Sequence, residues 1–327
     1  MTRVLVTGAT GFLGGRLIAA LQADGVDVVA VGRDVVKLAA LPVGEDVRHS
    51  VDLADATALR ALVPQLQDVA AIVHCAALSS PWGPMAAFQR ANVTATDNVL
   101  ALGEALRVSR LIHISTPSVY FRFRDQYGTR EDMALPKPVN AYAATKAIAE
   151  AWVRSSSLAT TILRPRGIYG AGDTALLPRL VRAAQTGPVP LFRDGRAVTD
   201  ITHVSDVVSA IQAALDAPDP PQGTFNVSGG VPLRITDVIE RATQRAGVAL
   251  RWRPLPFWPS LAAARLAEGV ARLQAGQTEP RATAYGLGIL AFSQVLDLSA
   301  IKDTLGWTPQ VSFDEGLEES FSGGASI

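Results

Sequence analysis

The chain opens with a short apolar run, "RVLVT" (3–7), that stops at a glycine turn. "FLGGRLIAALQADG" follows, with apolar residues recurring every three or four positions. The first pattern predicts a buried strand and the second a helix. Five more β-branched runs have strand length: "VDVVAV" (26–31), "VRHSV" (47–51), "VAAIVH" (69–74), "RLIHIS" (110–115) and "TTILR" (160–164). Helical stretches at 34–41, 55–64, 85–107 and 141–156 separate them. Apolar strands alternating with helices predict a parallel sheet covered on both faces, doubly wound because the crossovers are right-handed.

After residue 165 the alternation breaks. Helices are predicted at 174–186, 205–216 and 235–246, with a strand near 197–203 and a tryptophan- and proline-rich segment, "RWRPLPFWPS". The reading is an α/β chain of two lobes. Residues 1–165 form the larger, with 198–228 returning to it, and 166–327 form mainly a smaller C-terminal lobe for substrate. In "PFWPSLAAARLAEGVARLQAG", Trp258, Leu261, Leu266, Val270 and Leu273 share helical spacing. They predict a face packed on its own lobe; a lid over an apolar substrate and a peripheral membrane contact are the alternatives.

Composition narrows the class. Hydrophobic residues make up 48% and charged residues 18%, which suits a packed globule. Thirty basic residues balance thirty acidic ones, so no nucleic-acid partner is expected. Cys75 is the only cysteine, which rules out an intrachain disulfide. No histidine or second cysteine stands at metal-ligand spacing, so no metal is expected. The N-terminus lacks the features of a signal peptide, and no apolar run nears about 18 residues. A cytoplasmic protein without a transmembrane segment is the expectation.

Candidate chemistry begins at "TGATGFLG", where Gly8, Gly11 and Gly14 lie between strand and helix, with Thr10, Phe12 and Leu13 among them. Such glycines allow a tight turn, close backbone approach to a pyrophosphate, and helix–strand packing, while the helix N-terminus attracts the anion. The placement predicts a Rossmann-type dinucleotide site. At the end of the second strand, "AVGRD" offers Gly32 and Arg33 where an NAD-preferring site usually carries an acid. A guanidinium there suits a 2′-phosphate, so NADP is preferred over NAD. Asp52, with Leu53 after it, follows the third strand and would accept from the adenine amino group, or else cap the next helix, a role that Asp55 fits as well. Cys75, Ala76 and Ala77 follow the fourth strand, where small residues let the backbone run close to the cofactor. Cys75 reads as a small buried residue, not a nucleophile.

The stretch "NAYAATKAIAE" places Tyr142 and Lys146 four apart, on one helical face. With five tyrosines and four lysines in the chain, chance supplies only roughly 0.06 such pairs. A phenol ionises near pH 10 and needs help of about three units to act as a base at neutral pH, part of which a nearby ammonium supplies. The lysine would also hydrogen-bond the nicotinamide ribose. Ser115 and Thr116, at the end of the fifth strand, are the hydroxyls available to orient a substrate carbonyl, with turn chemistry before Pro117 the ordinary alternative. His113 is expected to point into the sheet packing and not to act as a base.

The motifs "TGATGFLG", "VDL", "HCAA", "RANVTATDNVL", "ISTPSVY", "YAATK", "LRPRGIYGAGD" and "DITHVSDVVSA", through to "LGWTPQVSFDEGL", resemble in order an extended short-chain dehydrogenase/reductase across nearly the whole chain. "STPSVYF", "ALSSPWGPM" and "VTDITHVSDV" resemble its 3β-hydroxysteroid dehydrogenase-like branch, which includes 2-alkyl-3-oxoalkanoate reductases. The resemblance implies Tyr142 as acid/base, Lys146 as its partner, Thr116 as the substrate-orienting hydroxyl and Asn92 as a structural or proton-relay residue. Thr116 is preferred over Ser115 because it stands 26 residues before Tyr142, the family spacing. Ser115, Pro165, Gly167 and Ile168 would pass beside the cofactor; Ser79, Trp82, Ser118 and Arg166 would meet substrate. A homodimer would be common in that family.

The expected activity is interconversion of a ketone and a secondary alcohol on a hydrophobic, sterol-like or 3-oxoacyl-like substrate. Dehydration of sugar nucleotides would typically need an acidic pair where Pro117 and Ser118 stand. Nucleotide-sugar epimerisation remains the alternative, with Arg166 and Arg179 available to a diphosphate. A non-catalytic cofactor sensor is disfavoured because Thr116, Tyr142 and Lys146 are all present.

Overall fold

A computed structural model of the protein describes residues 3–274 and 277–322. Its centre is a seven-stranded, all-parallel sheet. From one edge to the other the strands are Gly223–Val227, Thr160–Pro165, Arg110–Ile114, Val69–His74, Arg3–Thr7, Val28–Gly32 and Arg48–Ser50. The chain winds outward from Arg3–Thr7 to Arg48–Ser50, then crosses back to place Val69–His74 on the other side of the first strand. That reversal opens a crevice at the C-terminal ends of these two strands, where open α/β sheets hold ligands.

Strand residues are buried on both sides because alternate residues feed opposite cores. Val4, Val6, Val28 and Ala30 pack with helices Phe12–Ala23 and Val204–Asp216 on one face. Leu5, Val29, Val31 and Leu111 pack with helices Ala95–Leu106 and Ala141–Ser155 on the other. This is the doubly wound α/β arrangement predicted from the apolar runs.

Two expectations need correction. The helix read at 85–107 is not continuous: Met85–Phe88 passes through a π-helical turn, Gln89–Thr94, before Ala95–Leu106. The strand near 197–203 is two short strands. Val198–Thr199 joins a four-stranded sheet with Leu233–Arg234, Gln294–Leu296 and Gln126–Thr129, while Thr202–His203 pairs with Ile168–Tyr169.

Helix Phe257–Leu273 buries only Leu261 of the five residues predicted to pack. Phe257, Leu261 and Ala264 are buried against Leu287, Ala291 and Phe292 of the neighbouring helix Ala284–Ala291 and its end. Trp258, Leu266, Val270 and Leu273 are 50–89% exposed. Small alanines carry the packing because they let two helices approach closely. Among the described residues, no helix is long and apolar enough to cross a membrane.

Candidate active site

The glycine turn forms as its chemistry requires. Gly8 has φ +68°, and a Cβ there would stand 2.7 Å from the backbone nitrogen of Ala76. A Cβ on Gly14 would overlap the carbonyl oxygen of Gly8. Helix Phe12–Ala23 starts at Gly11 without a side-chain cap, so its first-turn N–H groups face the crevice as an anion site. A cleft of about 520 Å³ lies over this turn, lined among others by Gly8, Thr10, Gly11, Arg33, Asp52 and Ala76. Leu53, Cys75 and Ala77 line it as well. Phe12 and Leu13 pack their side chains against the sheet core, which leaves only their backbone to the cleft.

At the end of the second strand, exposed Arg33 lines the cleft with Lys37 and makes no ion pair among the described residues. Asp34 is the acid nearest to it, but its Oδ1 caps helix Val35–Ala39 by accepting from Val36 N and Lys37 N, both at 3.1 Å. Asp55 caps helix Ala56–Arg60, which frees Asp52 from that role. Asp52 instead accepts from Ala54 N at 3.0 Å and pairs with Arg90 at 2.7 Å. These two partners hold its carboxyl below the usual range.

Helix Ala141–Ser155 begins at Asn140, whose Oδ1 accepts from Ala143 N at 2.8 Å. That cap places Tyr142 in the first turn and Lys146 one turn deeper. Lys146 is 1% exposed. Its Nζ donates to Ile114 O at 2.7 Å and lies 2.9 Å from His113 Nε2. Burial lowers the ammonium to about 8, with Glu150 and Cys75 opposing the shift. Buried His113, also beside that ammonium, is held well below its ordinary pKa. It is neutral, and Nε2 is the acceptor for Lys146. His113 touches Lys146, which its place in an apolar strand did not reveal.

Tyr142 departs from expectation. Burial pushes its phenol up to about 12; a hydrogen bond with Thr116 partly offsets this, and the nearby Tyr285 adds to it. The lysine's hydrogens serve Ile114 and His113, so desolvation dominates the phenol in this state. Thr116 itself is buried at the end of the fifth strand; its Oγ1 accepts from Ser118 N at 3.1 Å and donates to Ser118 Oγ at 3.0 Å. Ser118 Oγ lies 2.7 Å from the hydroxyl of Tyr285. Tyr285 stands on helix Ala284–Ala291 and carries no motif that marks it in the sequence.

The remaining predicted residues divide sharply. Asn92 is buried: its Oδ1 accepts from Leu78 N at 2.7 Å and its Nδ2 donates to Thr145 Oγ1 at 3.1 Å. It ties the loop after the fourth strand to the Tyr142 helix. Ser115 turns away from the cleft and donates to Glu150 at 2.5 Å. Arg166 is buried on Thr199 Oγ1, at 3.1 and 3.2 Å, and Arg179 pairs with Glu279. Both guanidiniums thus have partners within the protein. Pro165 closes the sixth strand at the crevice end, followed by Gly167, at φ +55°, and Ile168. Ser79 is exposed on the loop after the fourth strand. Trp82 on that loop donates to Gln277 O at 2.7 Å and lies under Arg272, joining the loop to the C-terminal lobe.

Aromatic side chains cluster around Tyr285. Phe121 meets Tyr285 and Phe123 edge-on, with centroids 5.1 and 5.3 Å apart. Phe123 in turn packs near Phe257 and Phe292. Among the described residues, no group of three or more His, Cys, Asp or Glu could hold a metal ion.

Comparison with known proteins agrees with this geometry. A 2-alkyl-3-oxoalkanoate reductase from Stenotrophomonas maltophilia (strain K279a) is 32% identical, over 96% of this chain and 97% of the relative. A 4-hydroxy-2-methyl-3-oxo-4-farnesyl-3,4-dihydroquinoline-1-oxide ketoreductase from Stigmatella aurantiaca is 31% identical, over 97% and 95%. The solved structure of MoeE5 in complex with UDP-glucuronic acid and NAD superposes with a TM-score of 0.73 at 26% identity, covering 98% of both chains. Residues 4–228 match the model of the NAD dependent epimerase/dehydratase family. With its fold, its glycine turn and its Thr–Tyr–Lys set, the chain is an enzyme of that NAD dependent epimerase/dehydratase family.

Proposed function

We propose that the protein is an NADP-preferring ketoreductase acting on a hydrophobic ketone of the 3-oxoacyl or sterol kind. The observation that carries this reading is a cluster of uncharged hydroxyls, Thr116, Ser118, Tyr142 and Tyr285, with Phe121 packed edge-on against Tyr285 and Phe123. A nucleotide-sugar substrate would be better served by free guanidiniums for its diphosphate, and Arg166 and Arg179 are both engaged. The names of the two ketoreducing relatives support the same choice.

The glycine turn, the uncapped helix and the 520 Å³ cleft suit a dinucleotide. Gly8, Thr10 and Gly11 would hold its pyrophosphate, and Asp52 would face the adenine. When bound, the cofactor supplies or accepts the hydride. Thr116 orients the carbonyl oxygen, and Tyr142, protonated across the neutral range, gives its proton to that oxygen as charge develops. Lys146 stabilises the phenolate left behind. In oxidation Tyr142 takes the proton back.

NADPH oxidation should be followed with hydrophobic 3-oxo esters and ketosteroids, alongside isomerisation assays with UDP-sugars. Ketone-dependent oxidation is expected; UDP-sugar epimerisation without it would overturn the reading. Arg33 tests the cofactor preference. Arg33→Ala is expected to raise KM for NADPH by about 10–100-fold, the loss of one charge-assisted hydrogen bond, while NADH changes by less than about threefold. Equal losses for both would remove the 2′-phosphate role.

A further inference from the structure

Proton counting along this hydroxyl cluster gives Tyr285 a specific task. Each hydroxyl has one hydrogen to give. In this state Thr116 spends its hydrogen on Ser118 Oγ, at 3.0 Å. A threonine so engaged cannot also donate to a substrate oxygen. Its lone pairs can be served from the other side, since Ser118 N already donates to Thr116 Oγ1 at 3.1 Å and Ser118 Oγ lies within reach of the same atom. What Ser118 needs, before giving its own proton to Thr116, is a donor of its own. The Tyr285 hydroxyl, 2.7 Å from Ser118 Oγ, is such a donor.

We propose that Tyr285 is a positioning residue of the reaction: by donating to Ser118 it reverses the Thr116–Ser118 hydrogen bond, and so releases the Thr116 proton toward Tyr142 and the substrate oxygen. The inference rests on the reading of Thr116 and Tyr142 as the groups at the reacting oxygen. Chains of hydroxyls polarise one another, so the reversed direction also strengthens the terminal donor. The Tyr285 ring is held independently of its hydroxyl. It sits edge-on to Phe121 at 5.1 Å, on a helix capped by Thr283 and fixed through Ala284 N to Glu268 at 2.7 Å. Helix Ala284–Ala291 therefore sets a proton direction at Thr116 without touching the reacting atoms.

The role predicts a dependence that a packing role would not have: the effect of Tyr285→Phe must pass through Ser118. Tyr285→Phe keeps the ring on Phe121 and removes only the donor. With NADPH and ethyl 3-oxohexanoate as the probe, kcat of Y285F is expected to fall about tenfold, one hydrogen bond's worth, with KM changed less than about twofold. In the Ser118→Ala background the same change should cost less than about twofold, because no serine is left to draw the Thr116 proton away. Equal losses with and without Ser118, or no loss in either, would overturn the proposal. A second readout needs no substrate. With tyrosine labelled at ¹³Cζ, and the Tyr142 signal assigned from Y142F, the onset of Tyr142 ionisation should lie at higher pH in Y285F than in Y285F with Ser118→Ala, a comparison in which the loss of Tyr285's own charge effect on Tyr142 cancels. Equal onsets in the two variants overturn the inference even if no ketone is reduced, whereas a higher onset in Y285F without ketone reduction overturns only the ketoreductase reading.

Discussion

Tyr142→Phe is expected to lower ketone reduction by about 10²–10⁴-fold, ~3–5 kcal/mol of barrier, with the KM for NADPH within about twofold of wild type. Phenylalanine keeps the ring in the first turn of helix Ala141–Ser155 and removes only the proton donor. Because burial raises the phenol to about 12, the wild-type residue is fully protonated at neutral pH and ready as an acid. Difficulty arises in the product, where an oxyanion of high basicity must be stabilised. In the proposed mechanism Lys146 does this while it is charged, and burial lowers its ammonium to about 8. Reduction should therefore be level up to about pH 8 and decline above it. Burial sets that value; Glu150 and Cys75 both oppose it, and the neighbouring His113 is neutral. Stopped-flow or steady-state NADPH oxidation across pH 6–10 would read both effects. A Y142F enzyme retaining more than about a tenth of wild-type kcat would remove Tyr142 from the chemistry.

What the sequence disclosed about this site follows from which features are local. The glycine turn and the Tyr142–Lys146 pair are spacing signals within one turn or one helix, and helical geometry converts spacing into position. The sheet was legible because strands buried on both faces must be apolar throughout. The same fact hid His113: where every strand residue is buried, alternation does not say which histidine meets a lysine. Tyr285 was hidden for another reason. It approaches Ser118 across 167 residues of chain, and no periodicity links the two. Helix Phe257–Leu273 failed differently, since two faces share helical spacing and large side chains stand on both. Its alanines, at 264 and 271, were the available clue to close packing.

A second large effect lies one turn beyond Lys146. Glu150 is buried, and it accepts from Arg164 Nε at 2.8 Å, from Arg164 NH2, from Ser115 Oγ at 2.5 Å and from Arg154 at 3.0 Å. Burial alone would raise its pKa, but the hydrogen bonds and charge of Arg164 more than compensate and hold the carboxyl below the usual range. Arg164, buried on the sixth strand, also donates to Tyr120 and lies 4.6 Å from the centre of that ring. Glu150→Ala would leave this guanidinium buried without its counter-charge. The expected cost is about 3–5 kcal/mol in urea unfolding, whereas the double change Glu150→Met, Arg164→Met should recover most of it, because a buried pair often does little better than apolar side chains of similar volume. A cost below about 1 kcal/mol for Glu150→Ala would mean that water reaches the pair. Stability and catalysis meet at this carboxylate. Its negative charge raises the pKa of Lys146, so Glu150→Gln, which keeps one acceptor oxygen and removes the charge, should move the alkaline decline of reduction to a pH below about 8. A decline left where it was would mean that Glu150 braces the helix without setting the charge of its lysine.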